Sequence, residues 1–176
     1  ANPGTISLAS PSWGTTGQLG VLYLQEVAGA KFNPVVYKNA TAAMPDVVAG
    51  HANGILVTLS AALPFIRDGA LRAVAVTTPT RTASLPDIPT FAESGFPEFA
   101  WTDWQGFGVR KGTPPHIIEK LNAEVNAILK DPAAKAQFEA AGFTVLGGPP
   151  SVAVEGLEND FKRWAPIIKQ YNIKVE

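Results

Sequence analysis

The sequence predicts an α/β fold with a mainly parallel sheet flanked by helices, and three observations carry that expectation. Short β-rich runs alternate with helix-length segments from residue 5 to residue 78. The interval between runs is the one that βαβ units require, and such units lay strands side by side in parallel with helices over both faces. The chain has 176 residues, 46% of them hydrophobic and 16% charged, enough for one substantial α/β core or two small domains.

Taken in order, "TISLAS" (5–10) reads as a buried strand and "TTGQLGVLYLQEVAG" (15–29) as a helix. Leu19, Leu22, Tyr23 and Val27 recur there at helical spacing, and Gly29 is placed to stop it. A second strand and helix follow in "FNPVVY" (32–37) and "ATAAMPDVVAG" (40–50), the latter with Pro45 inside it. "GILVTL" (54–59), "SAALPFIRDG" (60–69) and "LRAVAVTT" (71–78) give a third strand, a third helix and a fourth strand. The rhythm then breaks. Residues 79–99 carry four prolines among turn formers, so they are expected to be irregular, with one short helix at Phe91 to Ser94.

"WQGFGVRKGTPP" predicts a strand and then a helix capped by Thr113 with Pro114 at its first position. That helix sets Ile117, Leu121, Val125 and Ile128 on one face. Asp131-Pro132 opens another short helix that Gly142 ends, and "FTVLGG" reads as a further strand. Ser151 caps a last helix whose apolar stripe is Val154, Leu157, Phe161, Trp164 and Ile168. The change of pattern places a boundary after residue 102, giving an α/β lobe over 1–102 and a second part over 103–176 with too little sheet to close a core alone.

Several function classes are disfavoured at once. A formal net charge of -1 with scattered lysines and arginines gives no reason to expect nucleic acid or an anionic membrane. The absence of cysteine removes disulfides, thiol chemistry and thiolate metal sites together. No apolar stretch reaches the length of a membrane span, and the opening "ANPGTISLAS" lacks the basic-then-apolar order of a signal peptide. No G-x-S-x-G elbow is present for a serine hydrolase. The two histidines, His51 and His116, have no carboxylate partner expected near them in sequence, so no catalytic residue, metal site or cofactor is assigned.

Chemistry is concentrated instead in "SPSWGTTGQLG" (10–20), which follows the first strand and opens the first helix. It holds Ser10, Ser12, Trp13, Gly14, Thr15 and Thr16, and a loop of this kind presents backbone N–H groups to a phosphate or carboxylate. It has neither the P-loop spacing and lysine nor the dinucleotide G-x-G-x-x-G. Its spacing alone fits an ordinary strand-to-helix turn as well as a binding loop; its place beyond the carboxyl end of a strand favours binding. "YKNAT" (37–41) leaves the second strand at the same edge, with Lys38, Asn39, Ala40 and Thr41. "TLSAA" (58–62), with Thr58, does so after the third strand. Lys38 fits a solvated surface lysine or a counter-charge, and Trp104, paired with Trp101, fits a core anchor or the wall of a cleft.

Residues 71–99, "LRAVAVTTPTRTASLPDIPTFAESGFPEF", resemble the most recognisable stretch of the tripartite tricarboxylate transporter solute receptors, the Bug-type receptors. "WQGFGVRKGTP" (104–114) resembles that family's W-x-G-x-x-x-P-x-G-T-P, and "VVYKNATAAMPDVVAGHANGI" its V-P-Y-K-G segment and the helix after it. "LASPSWGTTGQL" fits the glycine-serine loop that precedes these, so the resemblance covers the whole chain. Val35 and Asn39 stand in place of the proline and glycine of V-P-Y-K-G, Arg110 in place of a proline, and Thr58 where the family often has an acid.

The resemblance implies a fold of the type II periplasmic-binding-protein kind, one lobe present and the second incomplete. It implies a periplasmic, non-enzymatic receptor that closes on a small carboxylate held largely by backbone amides, and works with membrane transporter subunits. Asn39 would need a left-handed backbone to keep its side chain clear of the ligand. Family members carry an opening section before the 10–20 loop that supplies most of the first lobe. The expectation that follows is that residues 104–176 lack sheet partners and are covered in a homodimer or strand-exchanged oligomer. The alternative function is a truncated, self-associating interaction module that binds no small molecule.

Overall fold

The computed structural model describes residues 4–174. Its elements in order are β1 (Ser7–Ser10), α1 (Thr16–Val27), β2 (Asn33–Val36), α2 (Ala40–Val48), β3 (Gly54–Ile55), α3 (Leu59–Arg67), α4 (Pro115–Lys130), α5 (Pro132–Ala140) and α6 (Pro150–Gln170). The strands form one sheet in the order β2-β1-β3. Both pairings are parallel, with Ser7 opposite Asn33 and Leu8 opposite both Pro34 and Gly54. β1 is therefore the central strand, and α1 and α2 are the crossover segments that parallel pairing requires.

The chain divides into two compact units, residues 1–103 with 164–176, and residues 104–163. In the first unit Leu19 and Leu22 of α1 meet Phe99, Trp101, Trp164 and Ile167 in the main core. Phe99 is fully buried and stands between Tyr23, Phe91 and Trp101, with ring centroids 5.5, 4.5 and 4.7 Å away. Trp101 meets Trp164 edge-on at 5.0 Å. These contacts place the end of α6 in the first unit. Gly20 makes room for them, because a Cβ there would come within 2.9 Å of the Trp101 ring. A smaller cluster of Ala9, Val47 and Ala52 seats α2 on the sheet.

Three expected strands do not form. Residues 71–78 run extended but make one isolated parallel bridge, Val76 with Thr90. A strand exists only where a neighbour offers a run of donors and acceptors, and here the neighbouring stretch begins at Pro89, which has no N–H to give. Residues 104–110 and 143–148 are likewise irregular; no backbone bond pairs either one with a strand among the described residues. The segment 91–95 is a turn rather than a helix. It is held by a capping box without a following helix: Glu93 N–H donates to Thr90 Oγ1 at 3.0 Å and Thr90 N–H to Glu93 Oε2 at 2.7 Å. Arg81 Nε donates to both oxygens of the same carboxylate, at 3.0 and 3.1 Å. With the Arg81 guanidinium first and the Thr90 amide next, the Glu93 carboxyl is held below its ordinary range.

The second unit is built on α4, α5 and the first part of α6. The start of α4 falls one residue later than expected: Pro115 is its first position and Pro114 the N-cap, while Thr113 Oγ1 donates to Arg110 O at 2.8 Å. Asp131 does cap α5, accepting from Ala134 N–H at 2.8 Å. The last helix begins at Pro150, so Ser151 lies inside it. No residue of 104–163 is buried. The apolar stripes of α4 and α6 are present but uncovered, with Leu157 63% and Phe161 74% exposed. In α6 burial begins at Trp164 and continues at Ile167, not Ile168, because only that end packs into the core of the first unit. No helix of the described residues is long and apolar enough to cross a membrane.

Candidate functional site

Parallel pairing brings the loops that leave β1, β2 and β3 to one edge of the sheet. Two backbone bonds register them: Tyr37 N–H donates to Ser10 O at 3.0 Å, and Leu56 N–H to Ala9 O at 3.1 Å. A third constraint is steric. A Cβ on Gly17 would lie 2.5 Å from Leu56 O and 2.8 Å from Pro11 Cδ. Glycine at 17 is what lets the first turn of α1 sit against the chain leaving β3.

The first loop turns at Gly14, whose φ of 69° lies in the region that glycine adopts without penalty. Thr15 caps α1; its Oγ1 donates to Ser12 O at 2.8 Å and faces Gln18 N at 3.5 Å. Gln18 bends back and accepts from Gly14 N–H at 2.6 Å. Among the described residues nothing accepts from the N–H groups of Thr15, Thr16 and Gly17. These are the free donors that every helix start leaves, carrying its partial positive charge. Trp13 is 63% exposed beside them, and Ser10 is 1% exposed with its hydroxyl unpartnered.

The second loop caps α2 with Asn39, whose Oδ1 accepts from Ala42 N–H at 2.8 Å. Its φ of -166° is extended, so the left-handed backbone considered for it is not adopted; the side chain is clear because it is turned into the cap. Lys38, Ala40 and Thr41 follow the same loop, Lys38 and Thr41 exposed. In the third loop Thr58 is the N-cap of α3 but makes no capping bond with its side chain, which accepts from Ser60 Oγ at 3.4 Å. None of the three helices has an acidic residue in its first turn. Three helix starts and one lysine thus share an edge with no acidic residue in any of the three first turns, an arrangement suited to an anion.

Trp104 belongs to the second unit. Its indole N–H donates to Asp160 Oδ2 at 2.7 Å, and its ring lies over Gly156, where a Cβ would be 3.3 Å from Cε2. His51 does have a carboxylate partner, contrary to the expectation: Asp46 Oδ1 is 3.5 Å from its Nδ1, brought round by the turn that ends α2. Tyr37 OH donates to the other oxygen at 2.9 Å, and that bond, more than burial or charge, raises the phenol above its ordinary pKa. No group of His, Asp and Glu among the described residues could hold a metal. Gln18 was not singled out by its sequence context, although Thr15-x-x-Gln18 has capping-box spacing that points to it.

Comparison with known proteins places this geometry in context. A family model described as "Tripartite tricarboxylate transporter family receptor" matches residues 1–173. The protein BugT of Bordetella pertussis is 31% identical over 176 residues, all of this chain and 54% of BugT. The solved structure of R. palustris Rpa4515 with adipate superposes with a TM-score of 0.88 at 28% identity, covering 98% of this chain and 57% of that one. The structure of the periplasmic binding protein BugD gives 0.83 at 28% identity, covering 99% and 59%. The chain spans about half the length of the curated relatives it matches.

Proposed function

The chain belongs to the family of tripartite tricarboxylate transporter receptors, and on that premise we propose that it binds the carboxylate of a small organic acid at the shared edge of its sheet. The N–H groups of Thr15, Thr16 and Gly17 take the carboxylate oxygens. The starts of α2 and α3, with Ala40, Thr41 and Thr58, add field and further donors, and Lys38 supplies the one full charge. Ser10, Ser12, Trp13, Gly14 and Asn39 shape the loops around the ligand. The acid leaves unchanged, so the chain acts as a receptor rather than an enzyme, in the periplasm, handing its ligand to transporter subunits in the membrane.

The observation that carries this reading is the set of unpaired amides on one edge with no acid in any of the three first turns. It also accounts for a loop that contains no lysine or arginine. Each helix terminus contributes about 0.3–1 kcal/mol toward an exposed anion. Three of them with two or three charge-assisted hydrogen bonds, at roughly 1.5–3 kcal/mol each, reach or exceed the ~4 kcal/mol of a millimolar complex. Ordering the ligand takes back part of that, so a single edge binds with an affinity near millimolar. The relative solved with adipate supports a carboxylic acid as the ligand class.

A thermal-unfolding scan against adipate and a panel of mono-, di- and tricarboxylates tests it. An acid at one hundred times its dissociation constant adds about 2.7 kcal/mol, which raises Tm by roughly 5–10 °C for a chain of this size. No shift with any acid counts against the reading.

A second reading rests on a different observation: residues 104–163 bury nothing, while Phe107, Leu146, Leu157 and Phe161 are all more than 60% exposed. On this reading the chain works through self-association, as a homodimer or strand-exchanged oligomer whose second units cover one another. A monodisperse monomer in light scattering at high concentration counts against it.

A further inference from the structure

We infer that Gln18 is the positioning residue of the carboxylate cradle, one that holds Gly14 in place while keeping the cradle neutral; the inference rests on the carboxylate reading above. Gln18 is 3% exposed, and its Oε1 accepts from Gly14 N–H at the short distance of 2.6 Å. That bond fixes the turn at the one residue of the loop with a positive φ. With Gly14 N–H taken, the donors left free are those of the following three residues, consecutive at the start of α1. An anion meeting them finds a preorganised set instead of a mobile turn.

The identity of the residue is the informative part. Position 18 is the third residue of α1, where a capping box takes Glu or Gln. By local stability alone Glu is the better choice, since a carboxylate at a helix start is favoured by the macrodipole. The chain has 15 acidic residues, yet the first turns of α1, α2 and α3 hold none. Glutamine supplies the acceptor that Gly14 needs without a charge that would compete with the ligand for the same N–H groups. Neutrality at 18 thus serves binding, and at a position 3% exposed it also spares the fold the burial of a carboxylate, so stability and affinity must be read separately.

Two variants separate these roles. In Gln18→Glu the acceptor is retained but a carboxylate is buried, so Tm should fall while the Gly14 amide keeps its protection in the folded protein. Adipate, or the acid of the panel that gives the largest shift, should bind on the order of a hundredfold more weakly, the effect of a like charge about 6 Å away at an effective dielectric of about 20. In Gln18→Ala the acceptor is lost. The Gly14 amide should exchange with solvent at least about tenfold faster, and affinity should fall several-fold while no charge has been added. Should Gln18→Glu fail to fold, the Gln18→Ala pair of readouts decides. Gln18→Glu binding as tightly as the parent, or Gln18→Ala leaving both exchange and affinity unchanged, overturns the inference and leaves the carboxylate reading standing. A parent chain that binds no acid of the panel overturns both.

Discussion

The amide of Tyr37 donates to the carbonyl of Ser10 at 3.0 Å, and this bond sets the loop that leaves β2 beside the loop that leaves β1. It is the step at which strand order becomes a site. Parallel pairing alone would put both loops at one edge; the bond beyond the last strand pair extends the register to the residues that start α1 and α2. Leu56 repeats the device on the other side, donating to Ala9. An edge made this way presents chiefly backbone groups, and none of the residues in the first turns of α1, α2 and α3 is charged.

Gly17 tests the packing that supports the edge. In Gly17→Ala the new methyl would stand 2.5 Å from Leu56 O, so one of the two chains must move. The expected loss is about 1–2 kcal/mol: overpacking costs roughly 1–3, and the better helix propensity of alanine returns up to ~1. Chemical denaturation measures it, and a variant as stable as the parent contradicts the close approach.

Asn126 should matter to the second unit more than its surface position suggests. Its Nδ2 donates to Gly148 O at 2.9 Å and its Oδ1 accepts from Gly148 N–H at 2.7 Å, clamping both polar groups of one residue to α4. Asn126→Ala leaves the N–H without its acceptor and should cost about 1–3 kcal/mol. Asn126→Asp keeps the acceptor and should cost less. Amide exchange at Gly148 reads the difference directly, and equal protection in all three chains contradicts it.

How much of this was legible in the sequence depends on what each feature needs. From Ser7 to Arg67 every helix and strand was anticipated, because each is announced locally, by helical spacing in α1 or by short β-rich runs such as 5–10 and 32–37. The strands expected at 71–78, 104–110 and 143–148 have the right residues but require a partner strand, and a partner is not a local property. The same applies to the stripe Val154, Leu157 and Phe161: its spacing gave the helix correctly and could not say whether anything would cover it. At the site, position beyond the carboxyl end of β1 singled out Thr15 and Thr16. The roles of Gln18 and of Asp46 beside His51 went unseen, since each depends on a side chain that folds back over a turn.

Glu93 gives the protein an acid-sensitive clasp. Its folded pKa lies below the ordinary carboxylate value, chiefly through Arg81 and then the Thr90 amide. The stability it contributes is therefore complete above the ordinary value and is lost as pH falls through the lowered one. In Glu93→Gln the acid limb of a plot of stability against pH should be shallower than in the parent. Parallel acid limbs in the two proteins contradict the assignment.

The central claim, that a carboxylate is held by helix-start amides on the sheet edge, is tested most directly by following backbone amide resonances of 15N-labelled protein during titration with adipate. The account predicts saturable shifts that are largest at Thr15, Thr16 and Gly17, with smaller ones at Ala40 and Thr41, and little change in α4 and α5. Saturable shifts centred elsewhere, or none up to concentrations well above millimolar, would contradict it.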